Sequence, residues 1–171
     1  MPRENKEQIV LRLLAECRRY NLAGLDFLLS HPFNEIVPAY NGIGPESFPN
    51  PLRKALDRLS PQILPAVLIH NCRFTFGDGT LEWFRAANDE FEENGIRMAN
   101  ILYRWYDIRR YVVHHRVRAY ATMCRLFGWD SFIIACYTTK AKATNPDLAD
   151  FCFFPKKKIK NPLATIHNIL I

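Results

Sequence analysis

The sequence predicts an all-α domain. Apolar residues recur at intervals of three and four positions along most of the chain, which is the period of a helix that packs on one face. Alternating apolar runs, which would predict strands, are absent. The chain has 171 residues, of which 49% are hydrophobic and 23% charged, so one domain with a buried core is expected. We expect a single helical domain over residues 1–139 and a loosely packed basic tail over residues 140–171.

The first predicted helix is ENKEQIVLRLLAECRRY, in which apolar residues recur every four positions from Ile9 to Cys17. LAGLDFLLS predicts a short second helix. Residues 31–51 contain several prolines and two glycines, and they are predicted to form an ordered loop. A further short helix, NPLRKALDRLS, is predicted to begin with Asn50 as its N-cap and Pro51 in its first turn.

Two helices follow, separated by the turn sequence FGDG. The first is predicted to begin between Ser60 and Pro65 and to end near Phe74. The second, TLEWFRAANDEFEENG, is predicted to begin after Thr80 as its N-cap and to end at Gly95.

A long arginine-rich helix is then predicted to extend to Gly128, with the pair His114–His115 as a candidate break. Helical spacing gives this segment one apolar stripe, which we expect to face the core. The stripe consists of Met98, Ile101, Trp105, Ile108 and Val112. The next segment, WDSFIIACYTT, is consistent with either a strand or a short buried helix.

The arginine-rich helix is also a candidate binding surface. The segment from Ile96 to Gly128 contains seven arginines and only one acidic residue, Asp107, and the chain carries a net charge of +6. The candidate binding residues are Arg104, Arg109, Arg110, Arg116 and Arg118. Such a surface with nearby aromatic residues is suited to nucleic acid or an anionic membrane, whereas the alternative is a solvated helix whose aromatic residues belong to the core. Because the arginines spread around the helix, we expect a protein partner or an assembly contact. Lipid is an alternative, and nucleic-acid binding is expected to be at most weak.

Location can also be predicted from the sequence. No run reaches the ~18 apolar residues that a transmembrane helix needs. The first ten residues, MPRENKEQIV, lack the apolar block of a signal peptide. The five cysteines are scattered and form no C-x-x-C pair, which favours a reducing compartment such as the cytoplasm.

One histidine lies on the apolar stripe of its helix, in AVLIHNCRF. The next helix has a similar stripe that is interrupted by Asn88. His70 and Asn88 are each nine residues from Gly79 in the turn, so they lie at the same level in an antiparallel pair and are expected to meet. A histidine held by an amide is how a water-activating base is oriented, and it is also how an ordinary buried polar pair satisfies its hydrogen bonds. Both interpretations are open at this point.

Three motifs, NGIGP, PAVLIHN and AANDEF, follow one another along residues 41–91. Their order resembles that of secretory and viral phospholipases of the A2 class. Those enzymes have an N-G-C-G-P loop, a helix with H-D, and an antiparallel helix that often reads A-D-x-x-F. The segment CRLFGWDSF is similar to the end of a basic helix in a family of small phage proteins that are themselves similar to these lipases. The resemblance covers residues 36–132.

The resemblance implies that His70 activates water against an ester and that Asn88 orients its ring. It implies a calcium site in which the ligands are loop carbonyls and one side chain. Those ligands would come from Tyr40, Gly42, Gly44 and Asn71.

Both aspartates of the family are asparagines in this chain, at positions 71 and 88. Calcium prefers carboxylate oxygens, so no tight calcium site is expected and no other cofactor is predicted. Asn88 can orient an imidazole but cannot stabilise the imidazolium, and loss of such an acid lowers the rate by on the order of 10⁴ in serine proteases. The family's aromatic residue after H-D corresponds to Phe74, which has no hydroxyl group.

We therefore expect a degenerate, non-catalytic phage-type protein that acts as a binding or virion assembly component, in the host cytoplasm or the virion. One alternative is a hydrolase of lipid or other esters that depends on His70. Another is a weak binder of nucleic acid or anionic surfaces through the arginine-rich helix.

Overall fold

The computed structural model describes residues 4–44 and 49–144, and within these ranges it contains α-helices, one 3-10 turn and no strand. The predicted all-α class is therefore confirmed. The helices are α1 Lys6–Arg19, α2 Leu25–Leu29, α3 Phe33–Ala39, α4 Asn50–Leu59, α5 Leu64–Thr75, α6 Leu81–Leu102, α7 Ile108–Phe127 and α8 Trp129–Thr144, and the 3-10 turn is Pro61–Ile63. In the same ranges, no helix is both long and apolar enough to cross a membrane.

Helix α5 lies at the centre of the fold. It packs against α1, α2, α3, α6 and α8. Every residue from Leu64 to His70 is buried, together with Cys72. A helix that is apolar on all sides is stable in water only when other elements surround it, and PAVLI supplies such a surface. The N-terminal helix α1 contributes one wall through Val10, Leu13 and Cys17.

The pair α5–α6 is antiparallel, as predicted. The Trp83 indole Nε1 donates to the Arg73 carbonyl at 2.9 Å, and His70 lies opposite Asn88 with a side-chain distance of 3.1 Å. Successive contacts therefore move away from the turn along both helices. Thr80 is the N-cap of α6, as predicted, because its hydroxyl accepts a hydrogen bond from the Trp83 backbone N–H at 3.2 Å.

The prediction that α6 ends at Gly95 is wrong, because the helix continues to Leu102. Gly95 is buried inside α6 and lies against Val117 of α7. An added Cβ at position 95 would lie 2.7 Å from both Val117 methyl carbons. The glycine therefore permits the close approach of α6 and α7 rather than ending a helix.

The arginine-rich segment also differs from the prediction. The chain leaves α6 after Leu102 and begins α7 at Ile108, with Asp107 as the N-cap, and α7 is continuous through the histidine pair 114–115. The predicted core stripe is wrong beyond its first residue. Met98 is buried, whereas Ile101, Trp105, Ile108 and Val112 are exposed. The predicted stripe requires residues 103–107 to be helical, whereas they form the turn between α6 and α7. The core side of α7 is instead formed by Val113, Val117, Tyr120 and Ala121.

Two smaller differences concern the motif region, and one open alternative is resolved. The predicted loop 31–51 contains helix α3, in which Pro38 is the residue before the last. Helix α4 begins at Asn50 and its N-cap is Pro49, one residue before the predicted cap. The segment WDSFIIACYTT is helical, and its buried Phe132 and Cys136 form a second apolar cluster with Phe84.

The first five residues of the predicted tail, 140–144, belong to helix α8. Lys140 is held near the turn between α5 and α6, where its ammonium group donates to the Asp78 carbonyl at 2.7 Å. The rest of the predicted tail lies outside the described residues.

We predict that Gly95→Ala destabilises the protein, although alanine is the better helix former by ~1 kcal/mol. The added methyl group meets the stiff Val117 side chain, and overpacking of this kind costs about 1–3 kcal/mol. Chemical denaturation should therefore give a lower free energy of unfolding for the variant. The double variant Gly95→Ala/Val117→Ala should be more stable than the sum of the single changes predicts. Additive effects would show that the two residues are not in close contact.

Candidate functional site

His70 lies in a mainly apolar pocket between α5 and α6. Its side chain is 8% exposed, and its ring centre lies 4.3 Å from that of Phe74 and 5.0 Å from that of Phe91. Its Nε2 is 3.1 Å from the Oδ1 atom of Asn88, which is fully buried. The contact expected from the equal spacing around Gly79 is therefore present.

The second hydrogen bond of Asn88 fixes the tautomer of His70. The Asn88 Nδ2 group donates to the Phe84 carbonyl at 2.8 Å, and a carbonyl can only accept. The amide oxygen therefore points at the imidazole, and the His70 Nε2–H donates to it. In the neutral ring, this leaves Nδ1 as the unprotonated nitrogen, which is the atom that would act as a base.

Burial lowers the pKa of His70 from its ordinary value of 6.5 to about 4. Hydrogen bonds with the side chains of Asn88 and Asn71 act in the opposite direction but are weaker than the effect of burial. The ring is therefore neutral at pH 7. An amide at position 88 orients this ring without providing a negative charge that would favour the imidazolium.

Asn71, the next residue along α5, is turned towards the loop that follows α3. Its Nδ2 group donates to the Oδ1 atom of Asn41 at 2.9 Å and to the carbonyl of Gly42 at 3.2 Å. We call this pair of hydrogen bonds the Asn71 clasp. It holds the loop against α5 with two oxygens directed at one amide nitrogen.

Asp57 on α4 holds the same loop from the other side, and the sequence analysis did not identify it. Its Oδ1 accepts a hydrogen bond from the Ile43 backbone N–H at 2.8 Å. Gly42 has a φ of 83°, and an added Cβ would lie 2.6 Å from the Asp57 Oδ2 atom. Burial raises the pKa of Asp57 above its ordinary value, although the hydrogen bond from Ile43 opposes this shift. The sequence indicates this contact only through Gly42, because glycine adopts a positive φ easily and allows a close neighbour.

The residues proposed as calcium ligands do not fit a cation. The Asn71 clasp directs a hydrogen-bond donor at the Gly42 carbonyl, where a cation would need an oxygen ligand from position 71. Tyr40 is the C-cap of α3, and its side chain is buried. Gly44 lies further along the loop with a φ of 102°. In the described part of the chain, no cluster of three or more His, Cys, Asp or Glu side chains is arranged to hold a metal.

The predicted binding arginines make separate contacts on α7 and around it. Arg109 is bound to its neighbour Asp107 through a pair with an N–O distance of 2.6 Å, and Arg118 approaches Glu92 at 3.9 Å. The other three donate to uncharged acceptors: Arg104 to the Tyr106 hydroxyl, Arg110 to the Asn100 side chain and Arg116 to the Leu59 carbonyl.

The nearby aspartates do not replace the missing carboxylate at position 88. Asp89 is exposed and pairs with Arg125 at 2.6 Å. Asp78 remains in the turn, where its carboxylate accepts hydrogen bonds from the Thr80 backbone N–H and hydroxyl, both at 2.7 Å. These bonds lower the pKa of Asp78.

Comparison of the chain with protein-family models, curated proteins and solved structures finds no match. The likeness to phospholipases of the A2 class therefore depends on the sequence motifs alone.

The lowered pKa of His70 predicts a dependence of stability on pH. The folded ring binds its proton only near pH 4, whereas the unfolded ring binds it near pH 6.5. The unfolded state therefore holds more protons between these values, and the free energy of unfolding falls as the pH is lowered through this range. The total loss is about 3 kcal/mol, at ~1.4 kcal/mol per pKa unit.

This dependence is measured by urea denaturation from pH 7 to 4, with His70→Gln as the matched variant. Glutamine can still donate to Asn88 but does not titrate, so the variant should lose less stability over this range than the natural protein. Equal losses in the two proteins would show that burial does not hold His70 neutral.

The Asn71 clasp predicts how an aspartate would behave at that position. In Asn71→Asp, a carboxylate faces the Gly42 carbonyl, so without calcium the variant should lose about 1–3 kcal/mol of stability. Calcium can bridge these oxygens, so it should raise the melting temperature of the variant. Calcium should leave the melting temperatures of the natural protein and of Asn71→Ala unchanged. Micromolar calcium binding by the natural protein, measured by calorimetry, would contradict the interpretation of the clasp.

Proposed function

We propose that this chain is a non-catalytic, phage-type phospholipase A2-like protein that acts by binding, as a component of a virion or of its assembly. The observation that carries this proposal is the Asn71 clasp. In the related lipases an aspartate at this position serves a calcium ion, whereas here an amide N–H group bonds directly to the loop. The loop is thus held in place by the chain's own atoms.

The state of His70 supports the same proposal. A general base works best when its pKa lies near the working pH. Burial keeps the pKa of His70 at about 4, and the neutral Asn88 does not compensate for it. The arrangement satisfies a buried polar pair fully, with the Asn88 amide bonded at both of its ends.

A hydrolase of lipid or other esters is the second candidate, because one observation favours it. Nε2 of His70 is bonded to Asn88, which leaves Nδ1 as the unprotonated nitrogen of an oriented ring. Such a ring can accept a proton from water, although the imidazolium formed would lack a carboxylate partner. This candidate predicts slow hydrolysis that does not depend on calcium.

Contacts of α7 support binding through part of its surface rather than through all of its arginines. Arg109, Arg118 and Arg125 are paired with acidic side chains. A nucleic-acid groove usually presents its cations to phosphates, and these pairs reduce the charge available for that purpose. Nucleic-acid binding is therefore proposed to be weak and dependent on low salt.

Phospholipid hydrolysis provides the test. We expect the natural protein to hydrolyse mixed-micelle phospholipid no faster than His70→Gln does, with or without calcium. The reason is that Asn88 carries no charge and Asn71 supplies no carboxylate ligand for calcium. Asn88→Asp serves as the matched variant, since it restores the carboxylate beside His70 without changing the loop. Turnover by the natural protein that His70→Gln abolishes would establish the hydrolase and refute the non-catalytic function.

A further inference from the structure

The turn between α6 and α7 projects a group of large apolar side chains into solvent. We call this region the α6–α7 corner. Its exposed apolar residues are Ile101, Leu102, Trp105, Tyr106, Ile108, Tyr111 and Val112. Trp105 and Ile108 are each 72% exposed, whereas side chains that pack into a core are buried. Contiguous exposed apolar groups of this kind usually mark an interaction site.

The aromatic side chains of the corner are held in fixed positions. The Tyr111 hydroxyl donates to the Trp105 carbonyl at 2.8 Å, and the Arg104 guanidinium donates to the Tyr106 hydroxyl at 2.7 Å. The Trp105 and Tyr106 rings meet edge to face, with their centres 5.6 Å apart. The corner is thus preorganised and loses little side-chain freedom when it binds.

Positive charge accompanies the apolar group: Arg104 bonds to Tyr106 within the corner, and Arg110 bonds to Asn100 at the end of α6. Arg97, Arg104, Arg110 and Arg116 lie on the segments that form and flank the corner, and within the described ranges they form no ion pair with an acidic side chain. The one acidic residue of the corner, Asp107, is neutralised by Arg109 through a pair at 2.6 Å. The corner therefore combines an apolar centre with a net positive rim.

We infer that the α6–α7 corner inserts into the interfacial layer of an anionic phospholipid membrane. Tryptophan and tyrosine are enriched at that layer because one side of the ring is apolar and the other polar. Arginine side chains can extend their apolar stems along the acyl boundary while the guanidinium reaches lipid phosphates. The inference rests on one part of the proposed function, namely that the chain acts by binding.

Other occupants fit the corner less well. A second copy of the chain would bring two positive rims together, which disfavours association. Nucleic acid would meet the arginines but would gain little from the aliphatic Ile101, Leu102 and Ile108, which cannot stack on bases as aromatic rings do. A fluid lipid layer accommodates both the protruding side chains and the charge.

The test is co-sedimentation of the full chain with vesicles of phosphatidylcholine that contain phosphatidylglycerol, compared with vesicles of phosphatidylcholine alone. We expect binding to the anionic vesicles that weakens as salt is added. Trp105→Ser/Ile108→Ser should lower the affinity at least about tenfold, because two apolar side chains no longer insert. Arg104→Gln/Arg110→Gln should lower it for the anionic vesicles only.

The matched control is Leu126→Ser/Phe127→Ser at the other end of α7, where the two side chains are 64% and 49% exposed. This variant should bind as the natural protein does. All substituted residues lie at the surface, and circular dichroism verifies that each variant is folded.

Absence of vesicle binding, or an equal loss in the control variant, would overturn the inference. It would also be overturned if the corner variant abolished dimerisation or DNA binding instead of vesicle binding, since the occupant would then be a second copy or nucleic acid. Failure here leaves the non-catalytic function standing, whereas hydrolysis that requires His70 would refute that function without affecting vesicle binding.

Discussion

Burial of helix α5 on all sides is the constraint from which the rest of the fold follows. A buried polar side chain is costly unless it is hydrogen-bonded, so each polar residue of α5 must find a partner on a neighbouring element. His70 reaches Asn88 on α6, and Asn71 reaches the loop at Gly42. Arg73 makes two bonds to Glu90, at 3.1 and 2.8 Å. These ties fix α6 and the loop relative to the central helix.

Arg73 also finds a neighbour on α2, the ring of Phe27. Its guanidinium lies 4.2 Å from the centre of the Phe27 ring and 5.1 Å from that of Trp83, so a charged group is stabilised by two aromatic faces as well as by a carboxylate. The contrast with His70 is informative. Arg73 has a carboxylate and two aromatic rings as neighbours, whereas the polar neighbours of His70 are amides. The two asparagines of the site therefore suit a neutral interior.

The sequence allowed prediction of the features that depend on local periodicity. The apolar run of α5, the turn at Gly79 and the contact of His70 with Asn88 follow from spacing alone, because a short turn forces the two helices to be antiparallel. Features that depend on distant neighbours could not be predicted in this way. Gly95 predicts a helix end, because the sequence does not show that Val117 lies against it. Asp57 predicts a surface residue, because the sequence does not show that the loop folds over it.

The Asn71 clasp closes the loop at Asn41 and Gly42 without an ion. A contact made through calcium weakens when the concentration of that ion falls, and this concentration differs greatly between the inside of a cell and its surroundings. Hydrogen bonds between an amide and two oxygens of the same chain need no such ion. The strength of this contact is therefore set by the fold and not by the surrounding solution.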